Sequence, residues 1–383
     1  MISKRAATSL RVALLAGTLD RGGAEKQLVY MACALRRAGA VVRVYCLTRG
    51  TALEHELRQS GVPTIWVGRW SHPLLRLVAL AWALRDFRPH VLQSTHFFAN
   101  LYASAVAPLY GAIAIGGVRT DVHYDLASTG RWGRWLLRVP PSLIANSEAG
   151  KRNAEQLGAA PGAVYVVPNV IDLAEFDRLT GAAVVGSAPG RVVIAAVGRH
   201  LPEKRLDRFL RALALARREA PSVRGIVVGD GPERPNLERL AQELGLLSEG
   251  VRFLGYRSDV ARLLRRDADV LMLTSDQEGF PNVLLEAMAA GLPVITTPAG
   301  DAGVVVQDES TGYVVPFDDV QQLAERVVRL ARSPERRREL GAAARCRAAR
   351  QYGPERLAEH LLTAYRAFAR RGANRRVLAA LAR

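Results

Sequence analysis

The sequence predicts an α/β protein made of two doubly wound domains, each built on a parallel sheet. Two observations carry this expectation. Short apolar runs alternate with longer helical stretches from Leu10 to Ala145, and the alternation restarts at Arg191. The chain also has 383 residues, more than one hydrophobic core usually holds, so two cores are the default. The Gly- and Ala-rich stretch 179–190 reads as the linker, which sets expected domains at 1–178 and 191–350.

In the first half, Leu10 to Ala16 is an apolar strand, and Gly17-Thr-Leu-Asp-Arg-Gly-Gly-Ala-Glu25 is the loop that opens a helix running to about Arg37. Gly22 and Gly23 let backbone approach a ligand closely, and the helix start after them suits a phosphate. The loop is neither a G-x-G-x-x-G fingerprint nor a Walker loop, so it does not argue for a dinucleotide or ATP. Further strands are expected at Val41–Leu47, Thr64–Val67, Val91–Ser94, Ile113–Val118 and Leu143–Ala145. Ligands of doubly wound sheets sit beyond the carboxyl ends of the strands, which selects Thr95-His96 and Arg119-Thr-Asp-Val-His123 as pocket candidates.

The second half opens with a strand from Arg191 to Val197, and Gly198-Arg-His-Leu-Pro-Glu-Lys204 follows its carboxyl end. Arg199 and Lys204, five residues apart on a strand-to-helix loop, suit a diphosphate; each charge-assisted contact is worth about 1.5–3 kcal/mol. Two solvated surface cations are the alternative. Strands follow at Gly225–Val228, Val251–Leu254 and Val270–Leu273. Asp267-Ala-Asp269 imitates a D-x-D metal motif, but the strand from Val270 starts directly after it. These acids therefore fall at an amino end, away from the expected site, and no metal is implied. Helices at about 320–332, 334–350 and 354–370 finish the chain.

The stretch Thr274-Ser-Asp-Gln-Glu-Gly-Phe-Pro-Asn-Val-Leu-Leu-Glu-Ala-Met-Ala-Ala-Gly-Leu-Pro-Val-Ile-Thr-Thr-Pro298 reads as strand end, loop, short helix and next strand. Pro281 suits a first helical position, which needs no N–H donor, and Gly291 supplies a left-handed stop after Ala290. Gly279, Phe280, Pro281 and Asn282 lead into the helix, whose free N–H groups and positive dipole end favour an anion. Glu278 precedes this start, while Glu286 lies about 7–8 Å along the axis from Pro281 with its side chain tilted back. A ligand with a phosphate between two hydroxyl-bearing rings fits that spacing, one carboxylate for each ring. A solvated loop Glu and a helix-surface Glu are the alternative.

Glu278 and Glu286, with seven residues between them in that stretch, resemble the E-x7-E signature of the large retaining glycosyltransferase family (group 1, family 4-like) with the GT-B fold. The resemblance is dense from Gly198 to Pro316 and looser before Asn146. It implies two Rossmann-like domains facing across a cleft, the acceptor-side N-terminal one completed by a C-terminal helix at about 354–383. It also implies that Glu278 contacts the donor sugar, that Glu286 holds the ribose, and that Arg199 and Lys204 bind the leaving phosphates. The Gly22-Gly23-Ala-Glu25 loop is similar to the one that closes over the donor diphosphate, and Leu254-Gly-Tyr256-Arg257 to the segment beside the base. The family often places a His after the fifth strand near the donor sugar. His123 is that candidate, in a shifted register, with a structural or acceptor-contacting His as the alternative. Asn146-Ser-Glu148 and Pro168-Asn-Val-Ile-Asp172 are similar to architectural segments, with Val170 where Gly is common.

The implied reaction is metal-independent, cofactor-free retaining transfer from a UDP- or GDP-sugar to a hydroxyl of a glycan or lipid-linked acceptor, in cell-surface polysaccharide or glycolipid synthesis. A sugar-nucleotide epimerase and a non-catalytic nucleotide-sugar-binding subunit are the rivals on the same fold.

Composition bounds the setting. No run of eighteen uncharged apolar residues occurs, and Arg11 breaks the only short apolar stretch near the start, so a cytoplasmic enzyme is expected. Cys33, Cys46 and Cys346 show no paired spacing and are expected to be packing residues. The net charge of +17 argues for attraction to polyanions. No helix-turn-helix, zinc-finger or RNP pattern accompanies it, which disfavours nucleic acid. An anionic membrane surface is the better candidate, with the enzyme peripheral on the inner face. Arg131-Trp-Gly-Arg-Trp-Leu-Leu-Arg138, together with Arg69-Trp70 and the apolar helix around Leu74 to Leu84, has the composition of an interface anchor; burial of these Trp in the domain is the alternative.

Overall fold

The computed structural model describes residues 9–20, 22–49, 52–119, 133–181 and 190–382. They form two compact units, Met1–Val170 with Pro354–Arg383, and Ile171–Gly353. The first boundary falls earlier than the expected end at residue 178. The helix Leu173–Thr180 packs with the second unit, where Asp177 binds Arg265 at 2.8 Å and Arg345 at 2.6 Å.

The first unit carries strands β1 (Arg11–Ala16), β2 (Val41–Cys46), β3 (Thr64–Trp66), β4 (Val91–Ser94), β5 (Ile113–Val118), β6 (Leu143–Ala145) and β7 (Val164–Val166). They pair in parallel in the order β3-β2-β1-β4-β5-β6-β7. Strand β1 is interior to the sheet, and its apolar run from Val12 to Ala16 follows from that position. Val12, Leu14 and Ala16 enter one core, while Ala13 and Leu15 enter the core on the opposite face. The helix Gly23–Arg37 covers the first of these with Leu28, Met31, Ala32 and Leu35, one stripe at helical spacing. On the other face the helix Pro73–Leu84 buries Leu80 and Leu84, yet leaves Leu74, Leu75, Val78 and Trp82 exposed.

The second unit repeats the plan with β8 (Val192–Val197), β9 (Val223–Val228), β10 (Val251–Gly255), β11 (Val270–Leu273), β12 (Val294–Thr296) and β13 (Gly312–Val314), ordered β10-β9-β8-β11-β12-β13. All pairs are parallel. Strand β11 is again buried on both faces, Val270 and Met272 in one core and Leu271 and Leu273 in the other. Among the described residues, no helix is long and apolar enough to cross a membrane. Cys46 is buried and Cys33 partly so, but Cys346 is exposed on the helix Pro334–Gln351, so the packing expectation fails there.

The C-terminal helix Glu355–Arg371 belongs to the first unit and sets Leu357, Leu361, Tyr365 and Phe368 into its core. The Tyr365 hydroxyl donates to Gln93 Oε1 at 2.6 Å, with both residues buried. Removing one partner of a buried hydrogen bond leaves the other desolvated and unpaired. Tyr365→Phe is therefore expected to lower the stability of the first unit by about 1–3 kcal/mol in denaturant melts. An unchanged midpoint would show that this helix is not coupled to the sheet through Gln93.

Candidate functional site

Strand order reverses in the second unit between β8 and β11, which are neighbours although their connections run to opposite sides. Loops leaving the carboxyl ends of such strands diverge and leave a crevice suited to ligands. One loop is Gly198–Lys204; the other is Thr274–Pro281. The first ends in a short 3-10 turn, Pro202–Lys204, after which Arg205 adopts a left-handed conformation with φ 47°. That bend points the two loops at each other. Thr274 Oγ1 donates to the Lys204 and Arg205 carbonyls at 3.2 and 2.9 Å, and the Asp276 N–H donates to the Glu203 carbonyl at 2.8 Å.

The result is a part-buried ion pair. Lys204 Nζ donates to Glu278 Oε1 at 2.7 Å, and the Ser275 hydroxyl donates to the same oxygen at 2.8 Å. An ammonium carries three N–H donors, so the Glu278 contact uses one of them. Glu278 and Lys204, proposed from sequence as separate contacts, thus form one unit.

Sequence reasoning missed the residues that brace this pair. Arg208 is 2% exposed and donates to the Thr274 carbonyl, to Asp276 and to Asp318. Arg205 binds Asp207, Asp276 and Asp318. Burial pushes the Asp207 carboxyl up, but the hydrogen bonds and charges of Arg205 and Arg208 together hold the group below its ordinary value. Behind the loop, Gly300 has φ 58°, and a Cβ there would stand 2.3 Å from the Glu278 carbonyl oxygen. Only glycine fits against this backbone. Gly300 follows Pro298-Ala299, a turn-forming sequence that signals a loop; its partners, carbonyls more than twenty positions earlier, leave no local mark.

The helix begins at Asn282, with Pro281 at the N-cap position at ψ 104°, one residue later than expected. An extended ψ at Pro281 lets Phe280 turn inward, where it is 7% exposed and packs edge-on against Tyr352. Gly291 ends the helix in the left-handed conformation at φ 78°, as its sequence predicts. Arg199 is exposed on its loop, and Tyr256 is 69% exposed after β10. The Arg257 guanidinium makes a bidentate pair with Asp259 at 2.8 and 2.7 Å, which raises its pKa. Asp269 lies at the amino end of β11, where its carboxylate accepts the Val193 N–H at 2.7 Å. Among the described residues, no cluster of three or more His, Cys, Asp or Glu has the arrangement of a metal site.

In the first unit the reversal lies between β1 and β4. His96, after β4, accepts the Gly17 N–H on Nδ1 at 3.0 Å, which leaves Nε2 to face Glu25 Oε1 at 3.1 Å. Gly22 caps the helix that starts at Gly23, and a Cβ on Gly22 would meet the Glu25 carboxylate at 2.2 Å. Arg119 reaches Met31 Sδ at 3.1 Å and Asn169 at 3.4 Å, and burial pushes its guanidinium down to about 10. His123 lies outside the described residues.

Glu286 keeps partial solvent exposure but is surrounded by enough protein that desolvation pushes its carboxyl up to about 7. The native chain therefore keeps a proton that the unfolded chain releases above the ordinary value of 4.5. Stability falls as pH rises from there to about 7 and is level beyond. Glu286→Gln is expected to remove this fall, so its advantage over wild type in thermal melts grows across that window. A difference that stays flat with pH would contradict the desolvation of Glu286.

Comparison with known proteins places the chain in a family. Residues 180–347 match the family described as Glycosyl transferases group 1, and residues 21–175 match Glycosyltransferase Family 4. A D-inositol 3-phosphate glycosyltransferase of Saccharomonospora viridis is 36% identical over 242 residues, covering 58% of this chain and 55% of that protein. The protein of the same name from Nocardia farcinica is 34% identical over 303 residues, covering 75% of this chain and 64% of its own length. The matched part of the chain thus spans 55% and 64% of the length of these relatives. The Anabaena HepE crystal structure in complex with UDP superposes with a TM-score of 0.75 at 20% identity, covering 92% of this chain and 99% of HepE. Two matched family regions that together run from residue 21 to residue 347, on two doubly wound parallel sheets, place the chain among the GT-B glycosyltransferases of the group 1 and family 4 type.

Proposed function

We propose that the enzyme moves a sugar from a nucleoside diphosphate donor to an acceptor hydroxyl, with retention at the anomeric carbon and without a divalent metal. The observation that carries this reading is the Lys204–Glu278 pair at the β8/β11 reversal, because it joins a phosphate-binding cation to a sugar-binding carboxylate. In the reaction the bond from the anomeric carbon to the diphosphate oxygen breaks and its electrons leave on that oxygen. The acceptor oxygen forms the new bond to carbon on the same face, and its proton passes to the departing phosphate. Catalysis then requires negative charge to be stabilised at the diphosphate and positive charge at the sugar. Lys204 and Arg199 serve the first, with the N–H groups at the start of the helix Asn282–Ala290. The Glu278 carboxylate serves the second and accepts from sugar hydroxyls, while Glu286 accepts from the ribose.

Two cations on one loop supply the charge that Mg²⁺ supplies elsewhere, which supports metal independence. A UDP-sugar is favoured as donor because HepE was also solved with UDP-glucose. For the acceptor we favour a glycan or lipid-linked hydroxyl, in cell-surface polysaccharide or glycolipid synthesis at the cytoplasmic face of a membrane. A phosphorylated cyclitol is the second reading, favoured by the name of the relatives.

Mass analysis after incubation with UDP- and GDP-sugars and a panel of these acceptors tests the proposal. Transfer that persists in excess chelator and is lost in Glu278→Ala, with the donor anomeric configuration kept by NMR, is the expected result. A rearranged sugar formed without acceptor would identify an epimerase, and binding without any product a non-catalytic subunit. Loss in chelator with recovery on adding Mn²⁺ would overturn metal independence.

A further inference from the structure

Pro73–Leu84 is apolar except for Arg76, a composition that suits a core, yet it covers the first unit with one face only. Leu80 and Leu84 are fully buried, whereas Leu74 is 63%, Val78 66% and Trp82 65% exposed. Trp66 and Trp70 extend this surface beyond the helix at 40% and 43% exposure, and the side chains enclose a groove of about 840 Å³. An apolar patch of this kind on a water-soluble domain marks an interaction surface.

Its chemistry narrows the partner. The polar side-chain groups lining the groove are the guanidinium groups of Arg49 and Arg69 and the indole N–H groups, all of them donors. Arg49 sits 5.1 Å from the Trp66 ring centre, Arg69 5.6 Å from that of Trp70, and Arg85 3.8 Å from that of Trp82. These stacks hold cations at the level of the indoles, around an aliphatic centre formed by Leu75 and Val78. Asp86, paired with Arg85 at 3.5 Å, is the acid next to this rim. A complementary surface must offer hydrocarbon at its centre and acceptor oxygens at its margin. A peptide backbone brings donors and acceptors in equal number; a phospholipid interface brings acyl chains beneath phosphate oxygens. Indoles and arginines settle at the headgroup level of such an interface.

We propose that this face docks the enzyme on a bilayer containing anionic phospholipid, with Val78 and Trp82 inserted and Arg49, Arg69 and Arg85 on the phosphates. The segment 131–138 is expected from sequence to share in the anchor with Arg69-Trp70 and this helix. Residues 131–132 lie outside the described residues; among the described ones Leu137 is buried, Arg138 lies against Gly158 and Trp135 is exposed. The docking face belongs to the first unit and shares no residue with Lys204, Glu278 and Glu286 of the second, so the proposal does not rest on the transferase reading.

Sedimentation of the full chain with phosphatidylcholine vesicles, with and without phosphatidylglycerol, tests it at low and high salt. Wild type is expected to bind the anionic vesicles and to be released by salt, since the charge component is screened. Val78→Asp and the pair Arg69→Ser with Arg85→Ser should each weaken binding by about tenfold or more, at about one kcal/mol per arginine for the latter. Both variants replace exposed side chains, and unchanged circular dichroism and UDP titration confirm their fold. Trp135→Ser should bind as wild type. Three results would overturn the proposal: no binding to anionic vesicles at low salt, binding by Val78→Asp equal to wild type, or a dimer in sedimentation velocity that Val78→Asp dissolves, which would make a second copy the occupant.

Discussion

The ion pair between Lys204 and Glu278 fixes the candidate site, because it is the point at which two loops far apart in sequence become one surface. A part-buried pair of this kind contributes little net stability, since desolvating both charges offsets most of their attraction. Its worth is positional. Removing either partner leaves the other charged in a setting built for two, while the hydrogen bonds of Thr274 and Asp276 still hold the loops together. Arg208 extends the same logic inward. A fully buried guanidinium that binds Thr274, Asp276 and Asp318 at once is tolerable only because each of its faces finds an acceptor. It holds the floor of the Glu278 loop as a strut would. Gly300, pressed against the Glu278 carbonyl, closes the other side.

Much of this was legible in the chain. Strands β1 and β11 read as unbroken apolar runs because helices cover both faces of their sheets, and the ends expected for the central strands agree with the observed ones within a residue or two. Gly291 read correctly because a left-handed stop is a local property of glycine. The elements that escaped are those whose cause lies at a distance. Strands β7 and β13 are three-residue strands at the sheet edges, each formed against a single neighbour. Arg208 looks like any cation on an amphipathic helix, and only its three acceptors, as distant as Asp318, make it internal. Residues 173–178 fall in the expected first domain, since nothing in them announces that Asp177 is held by Arg265 and Arg345.

The two units differ in what they reveal. In the second, two motif residues read from sequence, Lys204 and Glu278, meet at the β8/β11 reversal. In the first, the Glu25–His96 contact marks the β1/β4 reversal, with the imidazole orientation set by the Gly17 N–H, but no motif predicted the pairing. Its outer face carries a separate instruction in the helix Pro73–Leu84. Sequence showed the helix to be apolar, and only the fold shows which of its sides the core leaves uncovered.

The central claim is that Lys204 and Glu278 are one device with divided labour, the ammonium for phosphate and the carboxylate for sugar. Calorimetric titration of UDP, which carries the diphosphate but no sugar, tests it most directly. Lys204→Ala should weaken UDP about ten- to a hundred-fold, the worth of one charge-assisted contact. Glu278→Ala should bind UDP as well as wild type or more tightly, because removing the carboxylate frees the ammonium for phosphate. Equal loss of UDP affinity in both variants, or none in Lys204→Ala, would contradict the account.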